Sequence, residues 1–386
     1  MDTGSLSRHE QEQLALIKRL PTEEILTEEL LTEYITSKER LKHYIGFEIS
    51  GMVHLGSGII SMGKIADLQK AGVETSVFLA DMHTLINKKL SEDIDAIRHT
   101  AKNYFSEALK ISLKCAGGDA ESTKFIMGSE LYEKMGEQYF ENVLNVASAI
   151  TMARAKRSIT ILGRKEGENI SLSQLIYVPM QVADIYSMGV NIAHAGMDQR
   201  KAHVVAIESS GLFGYKPVAL HHHLLMGMHM TEEQRSRLIK ARDSGSRAEM
   251  ENELIDIKMS KSKPGSAIFI HDSEDEIRKK VSGAYCPMGA TEVNPIMDLA
   301  RYVIWPYLMR KGLTFDIQNK KTGSTVSYSS IGELESAFAN SLIHPADLKE
   351  AVSNYIIEIL EPARSFFIDG NGAKYLEEMQ KVKTTR

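Results

Sequence analysis

HYIGFEISGMVHLGSGIISMGKIADLQKAGVETSVFLAD, residues 43–81, is the stretch that decides the fold. It begins with a short apolar run, passes through a glycine-rich turn at 51–58 and continues in a helix-like stretch that stops at Gly72. A second apolar run follows at 75–81. The order strand, loop, helix, strand predicts a βαβ unit whose two strands are parallel.

Three further apolar runs predict more strands of the same sheet. They are KFIMG at 124–128, GVNIAHAG at 189–196 and KPVALHHH at 216–223. Helical stretches, such as 91–114 and 130–162, separate them. The alternation of strands and helices indicates the α/β class and a doubly wound parallel sheet.

The two ends of the chain have different patterns. Residues 1–40 are polar and amphipathic, with a Thr-Glu-Glu helix start at 22–24, and predict an N-terminal helical arm. Beyond KMSKSKPG at 258–265 the strand signals fade and amphipathic stretches dominate. We therefore expect a central domain at 41–257 and a second, mainly helical domain at 266–386.

Composition excludes several classes of protein. A chain of 386 residues with 43% hydrophobic and 25% charged residues can bury a sizeable core. It has no apolar run of about 18 residues and no apolar N-terminal stretch typical of a signal peptide, so we expect a cytoplasmic protein without membrane contact. Its two cysteines, Cys115 and Cys286, are far apart and predict neither a disulfide framework nor a structural zinc site.

The net charge of -5 argues against a protein that binds nucleic acid, DNA included, through its overall charge. Contact with a polyanion would have to be regional. The stretch MARAKRSITILGRK at 152–165 concentrates five basic residues on a predicted helix. A solvated helix face is the alternative interpretation of this stretch.

Two segments carry residues suited to phosphate chemistry. The first, at 51–58, lies where a strand ends and a helix begins, and places His54, Gly56 and Ser57 where helix N-termini bind phosphate. The second, Lys258-Met259-Ser260-Lys261-Ser262-Lys263, is a basic loop that could neutralise pyrophosphate as charge develops on it. Taken singly, the first could be an ordinary turn and the second a solvated linker.

HLGS followed by KMSKS resembles the paired signatures of class I aminoacyl-tRNA synthetases, except that Ser57 replaces the second histidine of HIGH. Further strings resemble tyrosyl-tRNA synthetases of the archaeal and eukaryotic type, in the family's order from about residue 40 to 365. These strings are YIGFEISG at 44–51, FLADMH at 78–83, YVPMQVADI at 177–185, AGMDQR at 195–200 and AYCP at 284–287.

The resemblance implies a Rossmann-type catalytic domain, an insertion at about 115–170 that contacts the acceptor stem and the dimer partner, and a helical C-terminal anticodon-binding domain in a homodimer. It also implies a two-step reaction. L-Tyrosine and ATP, with Mg²⁺, form tyrosyl-adenylate and pyrophosphate, and the tyrosyl group then passes to the 3′ end of tRNA(Tyr). No protein-bound metal is expected.

The resemblance also implies roles for individual residues. Tyr44 and Asp184 match the pair that hydrogen-bonds the substrate phenol, and a buried carboxylate in that place would reject phenylalanine. The group that holds the substrate ammonium is matched by Tyr177, Gln181 and Gln199, with Glu48 close by.

The nucleotide and RNA roles follow in the same way. ATP contacts are implied for His54, Gly56, Ser57, Gly196, Asp198, Lys258, Met259, Ser260, Lys261 and Ser262, of which His54, Ser57, Lys258 and Lys261 act in catalysis. Acceptor-stem contacts are implied for Arg154, Lys156 and Arg157. Asp347, in HPADLK at 344–349, matches a residue that reads an anticodon base. An N-cap of the following helix is the alternative role for Asp347.

Three other functions compete with this interpretation. A tryptophanyl-tRNA synthetase shares both signatures, but Tyr44 and Asp184 disfavour it. A catalytically silent, RNA-binding paralogue would agree with Ser57, and a plain nucleotidylyltransferase would leave the helical C-terminal region unexplained. The run His221-His222-His223 resembles a metal cluster, yet neighbours on a strand face opposite sides, so no zinc is assigned. His83 and His203 are predicted to be core or cleft-lining residues.

Overall fold

The computed structural model describes residues 6–163, 169–260 and 264–382. Within these ranges, six strands form the main sheet and two form a separate hairpin. The strands are β1 (Thr22–Leu26), β2 (Lys42–Phe47), β3 (Glu74–Leu79), β4 (Thr123–Met127), β5 (Ile192–Gly196), β6 (Val218–His222), β7 (Phe315–Gln318) and β8 (Thr325–Tyr328).

Helices surround the sheet and make up most of the C-terminal region. They are α1 (Arg8–Lys18), α2 (Glu28–Thr36), α3 (Ser61–Lys70), α4 (Asp81–Asn87), α5 (Ile94–Thr100), α6 (Ser106–Cys115), α7 (Gly128–Met135), α8 (Glu137–Ala149), α9 (Met152–Arg157), α10 (Leu172–Ser187), α11 (Arg200–Glu208), α12 (Glu232–Asp243), α13 (Arg247–Ile257), α14 (Glu274–Ser282), α15 (Pro295–Leu299), α16 (Trp305–Lys311), α17 (Ile331–Ala339), α18 (Pro345–Ile359), α19 (Glu361–Phe367) and α20 (Ala373–Lys381). Short π-helical turns precede α3, α6 and α16, and short 3₁₀ turns follow α9 and α11.

The strand order of the main sheet is β1-β6-β5-β2-β3-β4. β2 to β6 are parallel, whereas β1, at the edge, is antiparallel to its neighbour. Every residue of β5 and β6 is buried, as expected for parallel strands covered on both faces. The α/β class, the doubly wound sheet and all five strands predicted from the apolar runs are confirmed.

The N-terminal region corrects one prediction. Residues 22–26 form a strand, not the start of a helix, so the predicted helical arm at 1–40 is wrong for this stretch. Edge strands tolerate charged side chains. Glu24 contacts both Arg200 and His221, at 2.7 and 3.0 Å, and this pairing accounts for the acidic composition that resembled a helix start.

The C-terminal region is helical, as predicted, apart from the hairpin of β7 and β8, which the sequence pattern did not indicate. The largest apolar cluster continues from the sheet into this region, since Ile45 and Leu109 belong to it together with Trp305 and Phe338. The two regions thus share one core. The boundaries of the proposed domains remain a prediction.

The segment around Lys258 is tied to its surroundings on both sides of residues 261–263. On one side, the Gly227 N–H donates to the Ile257 carbonyl at 2.7 Å. On the other, the Met228 N–H donates to the Ser266 carbonyl at 2.9 Å. The following residues, 267–270, run beside the loop that carries His54, where the Leu55 N–H donates to the Ile268 carbonyl. Backbone hydrogen bonds therefore join the first signature to residues 268–270, which follow the second signature.

No helix in the part of the chain that the structure describes is long and apolar enough to cross a membrane.

Candidate active site

A pocket of about 250 Å³ opens beside the carboxyl ends of β2 and β5. These strands are neighbours in the sheet although the crossovers from them run in opposite directions, and such a switch point is where open α/β sheets bind ligands. Most predicted substrate residues line this pocket: Tyr44, Glu48, His54, Gly56, Ser57, Tyr177, Gln181, Asp184, Gly196, Asp198, Gln199, Lys258 and Met259.

The closed end of the pocket is built around Asp184, which projects from α10 and is fully buried. Its Oδ1 accepts a hydrogen bond from the Tyr139 hydroxyl at 2.9 Å, whereas its Oδ2 has no hydrogen-bond partner among the described residues. Burial raises the pKa of Asp184 to about 8, although the neighbouring hydroxyls of Tyr139 and Tyr132 act in the opposite direction. Tyr44 faces the same end, and burial, reinforced by Asp184, raises the pKa of its hydroxyl.

Sequence reasoning missed two tyrosines at this end. Tyr139 orients Asp184, and Tyr132 stacks on Tyr139 with ring centroids 3.9 Å apart. Both come from the predicted insertion, where tyrosines on amphipathic helices indicate only core packing. His83, predicted to line a cleft, does so, with its Nε2 3.6 Å from Asp184 Oδ2.

Polar side chains between the two ends of the pocket form two hydrogen-bonded sets. Gln181 donates to Gln199 Oε1 at 3.4 Å, and Gln199 donates to the Ile161 carbonyl at 2.9 Å. The amide of Asn87 donates to Glu48 at 2.8 Å. Gln181 Oε1 is buried without a hydrogen-bond partner among the described residues, so an acceptor is available for a donor such as an ammonium group.

Of the predicted phosphate-binding residues at 54–57, Gly56 and Ser57 belong to the first helical turn and His54 does not. His54 precedes the π-helical turn that begins at Gly56. The Gly56 N–H donates to His54 Nδ1 at 3.1 Å, which places the proton of a neutral imidazole on Nε2. The Ser57 hydroxyl hydrogen-bonds to the backbone of His54 at 3.3 and 3.4 Å. Ser57 therefore stabilises this loop as well as lining the pocket.

The other end of the pocket is lined by Gly196, Asp198 and Lys258. Lys258 Nζ lies 2.8 Å from Asp198 Oδ2. Burial would raise the pKa of Asp198, but the ammonium of Lys258 outweighs burial and holds that pKa below its usual value. A methyl group on Gly196 would lie 2.7 Å from Leu224 and 2.8 Å from Asp198 Oδ1, so only glycine keeps this space open.

The structure describes two more of the predicted loop residues, Met259 and Ser260. Met259 is buried and its N–H donates to the Leu225 carbonyl, which fixes the start of the loop. Ser260 is described but does not line the pocket. Lys261 and Ser262 lie outside the described residues.

Comparison with known proteins agrees with this geometry. The family described as tRNA synthetases class I (W and Y) matches residues 36–361. The tyrosine–tRNA ligase of Thermococcus gammatolerans is 45% identical over 393 aligned residues, which cover 97% of this chain and 99% of that relative. The chain belongs to the tyrosyl-tRNA synthetase family.

Solved structures of the tyrosyl-tRNA synthetase family extend the match to three dimensions. The enzyme from Pyrococcus horikoshii, solved in complex with L-tyrosine, has a TM-score of 0.87 and 42% identity, covering 97% of this chain and all of that one. A tryptophanyl-tRNA synthetase from Aeropyrum pernix shares only the fold, at 17% identity and a TM-score of 0.63. The chain is thus an aminoacyl-tRNA synthetase, and its sequence places it on the tyrosyl side of the class.

The residues that family resemblance assigns to tRNA lie away from the pocket. α9 ends at Arg157, so the predicted basic helix is shorter than expected, and Arg164 and Lys165 fall outside the described residues. Lys156 and Arg157 are exposed, whereas Arg154 pairs with Glu208 at 2.6 Å.

Asp347 lies in the first turn of α18 and is buried. The cap of that helix is His344, whose Nδ1 accepts from the Ala346 N–H at 3.2 Å. The alternative prediction of Asp347 as N-cap is therefore wrong. Its predicted role with tRNA remains a prediction.

The three histidines at 221–223 contact different partners, because neighbouring residues of a strand face opposite sides of the sheet. His221 faces His203 and Glu24, and His222 faces His194. His223 contacts Glu23 and Asp298, and both His222 and His223 line the pocket. Among the described residues, no group of three or more acidic, histidine or cysteine side chains could hold a metal ion.

Proposed function

We propose that the protein activates L-tyrosine with ATP to form tyrosyl-adenylate and pyrophosphate, and then transfers the tyrosyl group to the 3′ end of tRNA(Tyr). The observation that carries this proposal is Asp184 Oδ2, a buried carboxylate oxygen that lacks a hydrogen-bond donor at the closed end of the pocket. A substrate phenol supplies that donor. Phenylalanine does not, and it would leave the oxygen unpaired, a defect that sites of this kind reject by about 10⁴- to 10⁵-fold.

The middle of the pocket suits the amino-acid group. Gln181 Oε1 accepts from the substrate ammonium, Tyr177 and Gln199 complete its surroundings, and Glu48 adds a nearby negative charge. Holding the ammonium and the phenol together fixes the substrate carboxylate toward His54 and Lys258. Positioning of this kind is the main source of rate acceleration when no covalent enzyme intermediate forms.

In the first step, a carboxylate oxygen of tyrosine attacks the α-phosphorus, and the bond to the pyrophosphate oxygen breaks. ATP enters as its Mg²⁺ complex. The His54 Nε2–H and the ammonium of Lys258, joined by Lys261 of the same loop, stabilise the negative charge that develops on the phosphates. Gly196 lets the nucleotide approach the backbone closely, and Asp198 binds its ribose.

In the second step, a terminal ribose hydroxyl of tRNA attacks the carbonyl carbon, and AMP leaves. Lys156, Arg157 and Arg154 would hold acceptor-stem phosphates, which positions the RNA but does not read its sequence. Asp347, in the helical C-terminal region, would read an anticodon base. The reaction belongs in the cytoplasm, where we place the protein.

We also propose a homodimer that forms through α8 and α10. These helices pack against each other and carry large apolar side chains that are exposed in the single chain. Phe140 and Leu144 lie one turn apart on α8, with exposures of 61% and 49%, and Leu172 and Ile176 lie one turn apart on α10. Exposed apolar patches of this kind mark interaction surfaces. Phe140→Asp with Leu144→Asp should convert a dimer to a monomer in sedimentation equilibrium, and a wild-type monomer would contradict the proposal.

The decisive experiment is amino-acid-dependent ATP–pyrophosphate exchange, measured with all twenty amino acids and without tRNA. Exchange with tyrosine alone supports activation and specificity together, and shows that Ser57 is compatible with catalysis. Exchange with tryptophan would show that the protein activates tryptophan instead of tyrosine. Absence of exchange with every amino acid would support a silent RNA-binding role instead.

A further inference from the structure

Three buried histidines form a hydrogen-bonded row that ends in the pocket. His43 Nε2 lies 3.0 Å from His194 Nδ1, and His194 Nε2 lies 2.8 Å from His222 Nδ1. His43 and His194 are fully buried, and His222 is 6% exposed. We call His43, His194 and His222 the histidine row. The proposed function above assigns no role to it.

The row follows from the register of three adjacent strands. Ile45, two residues after His43 on β2, pairs with His194 on β5, and Gly196, two residues after His194, pairs with His222 on β6. Residues two apart on a strand share a face, so all three imidazoles lie on one face of the sheet. They run diagonally from the amino end of β2 to the carboxyl end of β6. That end borders the pocket.

The number of protons on the three imidazoles limits which tautomers the row can adopt. Burial holds the pKa of each of the three imidazoles far below its ordinary value, so each is neutral and carries one N–H. Two N–H groups serve the two internal hydrogen bonds. One N–H therefore remains, either on His43 Nδ1 at the buried end or on His222 Nε2 at the pocket end.

The surroundings of the two ends of the row select the second arrangement. His43 Nδ1 is buried and has no hydrogen-bond partner among the described residues, so a proton on that nitrogen would leave a buried N–H group unpaired. At the other end, the carboxylate of Asp198 acts on His222 and favours a proton there. All three histidines then carry the proton on Nε2, and His222 presents a fixed donor to the pocket.

We infer that His222 Nε2–H and Asp198 Oδ1 together bind one ribose hydroxyl of ATP, with His194 and His43 as positioning residues. Both atoms lie beside Gly196, since a methyl group there would be 2.8 Å from Asp198 Oδ1 and 3.5 Å from His222 Nε2. A carboxylate only accepts hydrogen bonds and this Nε2–H only donates. A hydroxyl group, which does both, satisfies the pair, whereas a phosphate would be repelled by Asp198. The inference rests on the proposed use of ATP.

The test compares equilibrium binding of ATP, 2′-deoxy-ATP and 3′-deoxy-ATP to the wild-type chain and to His222→Leu. We expect His222→Leu to weaken ATP binding about 3- to 10-fold, the effect of one neutral hydrogen bond. One of the two deoxy analogues should bind to the wild type as weakly as ATP binds to His222→Leu. The variant should bind that analogue no more weakly than the wild type does. His222→Gln, which keeps an amide donor, should recover most of the affinity. If His222→Leu binds ATP as the wild type does, or still distinguishes ATP from both analogues, the inference is overturned.

A control variant and a measurement of the histidine tautomers complete the test. His221→Gln changes the neighbouring histidine, which faces the opposite side of the sheet, and should leave ATP affinity unchanged. In protein labelled with ¹⁵N-histidine, the resonances lost in His43→Leu, His194→Leu and His222→Leu identify the row, and in the wild type they should show Nε2–H tautomers. Nδ1–H tautomers would overturn the inference. A wild type that binds ATP but gives no tyrosine-dependent exchange would contradict the proposed function and not the histidine row.

Discussion

At the closed end of the pocket, Asp184 keeps one carboxylate oxygen without a hydrogen bond among the described residues, whereas at the nucleotide end Asp198 is already paired with Lys258. A buried acceptor without a partner destabilises the free protein and is satisfied only when the right ligand arrives. A carboxylate paired with an ammonium is stable without ligand. The closed end is thus suited to selecting the substrate. The nucleotide end is suited to a reaction in which Lys258 and Asp198 leave each other for new partners.

The largest expected effect comes from removing the unpaired acceptor. Asp184→Ala should lower kcat/KM for tyrosine by about 10²- to 10³-fold, because the phenol then enters a buried site without its hydrogen-bond partner. The KM for ATP should stay within about threefold, since the nucleotide binds at the other end. Steady-state pyrophosphate exchange measures both constants. If Asp184→Ala kept wild-type activity with tyrosine, Asp184 would not bind the substrate phenol, and the proposed difference between the two ends of the pocket would be contradicted.

A smaller effect is expected at the paired end. Lys258→Ala should lower kcat for adenylate formation about 10- to 10²-fold with little change in ground-state ATP binding, because Lys258 leaves Asp198 for the phosphates only as charge develops on them. Single-turnover kinetics separates the rate from the affinity. Lys261→Ala is expected to behave similarly. A loss confined to ATP affinity would show that these lysines bind substrate and not the transition state.

The exposed cations of α9 should affect only the second step. Lys156→Ala with Arg157→Ala should raise the KM for tRNA roughly 10-fold and reduce the salt dependence of binding by nearly two phosphate contacts. Exchange of pyrophosphate without tRNA should not change. Arg8→Ala with Lys18→Ala on α1 is the charge-matched control. An equal loss in both double variants would indicate general attraction of RNA and not a defined contact.

The smallest effect on catalysis is expected from His223, whose role concerns stability. Burial disfavours its cation, but Asp298 and Glu23 together outweigh burial and raise its pKa to about 9. Because the folded pKa exceeds the unfolded value of about 6.5, this contribution is complete below pH 6.5 and is lost as pH rises toward 9, by roughly 3 kcal/mol at most. Chemical denaturation of the wild type and His223→Gln at pH 6 and pH 9 should show a difference in unfolding free energy that shrinks at pH 9. If the difference in unfolding free energy were the same at pH 6 and pH 9, the proposed pairing of His223 with Asp298 and Glu23 would be contradicted.

Much of the fold was predictable because its strands are buried on both faces and appear as continuous apolar runs. β1 was not, because its acidic residues are stabilised by Arg200 and His221, which are remote in sequence. The hairpin of β7 and β8 was missed for a related reason: β8 is exposed along most of its length and carries no apolar signal.

The pocket shows the same limit. Family motifs located Tyr44 and Asp184, but no motif indicated Tyr139, which reaches Asp184 from a different helix. The histidine row could not be found either. Its members lie on strands separated by about 150 and 28 residues, and only the strand order β6-β5-β2 and its register bring them together. Contacts that depend on register are set by the whole sheet and leave no local pattern.

The hydrogen bonds from Gly227 and Met228 to the two sides of residues 261–263 have a consequence for chain entropy. Because both ends of this segment are held by one short stretch, closing the loop is a local event whose entropy varies only slowly with length. Lengthening the loop by a residue or two should scarcely alter the cooperativity or midpoint of unfolding. If Lys261 contacts the phosphates, as proposed, the same insertion would lower the rate of adenylate formation. Thermodynamic stability and reaction rate are therefore encoded separately here, and selection can change one without changing the other.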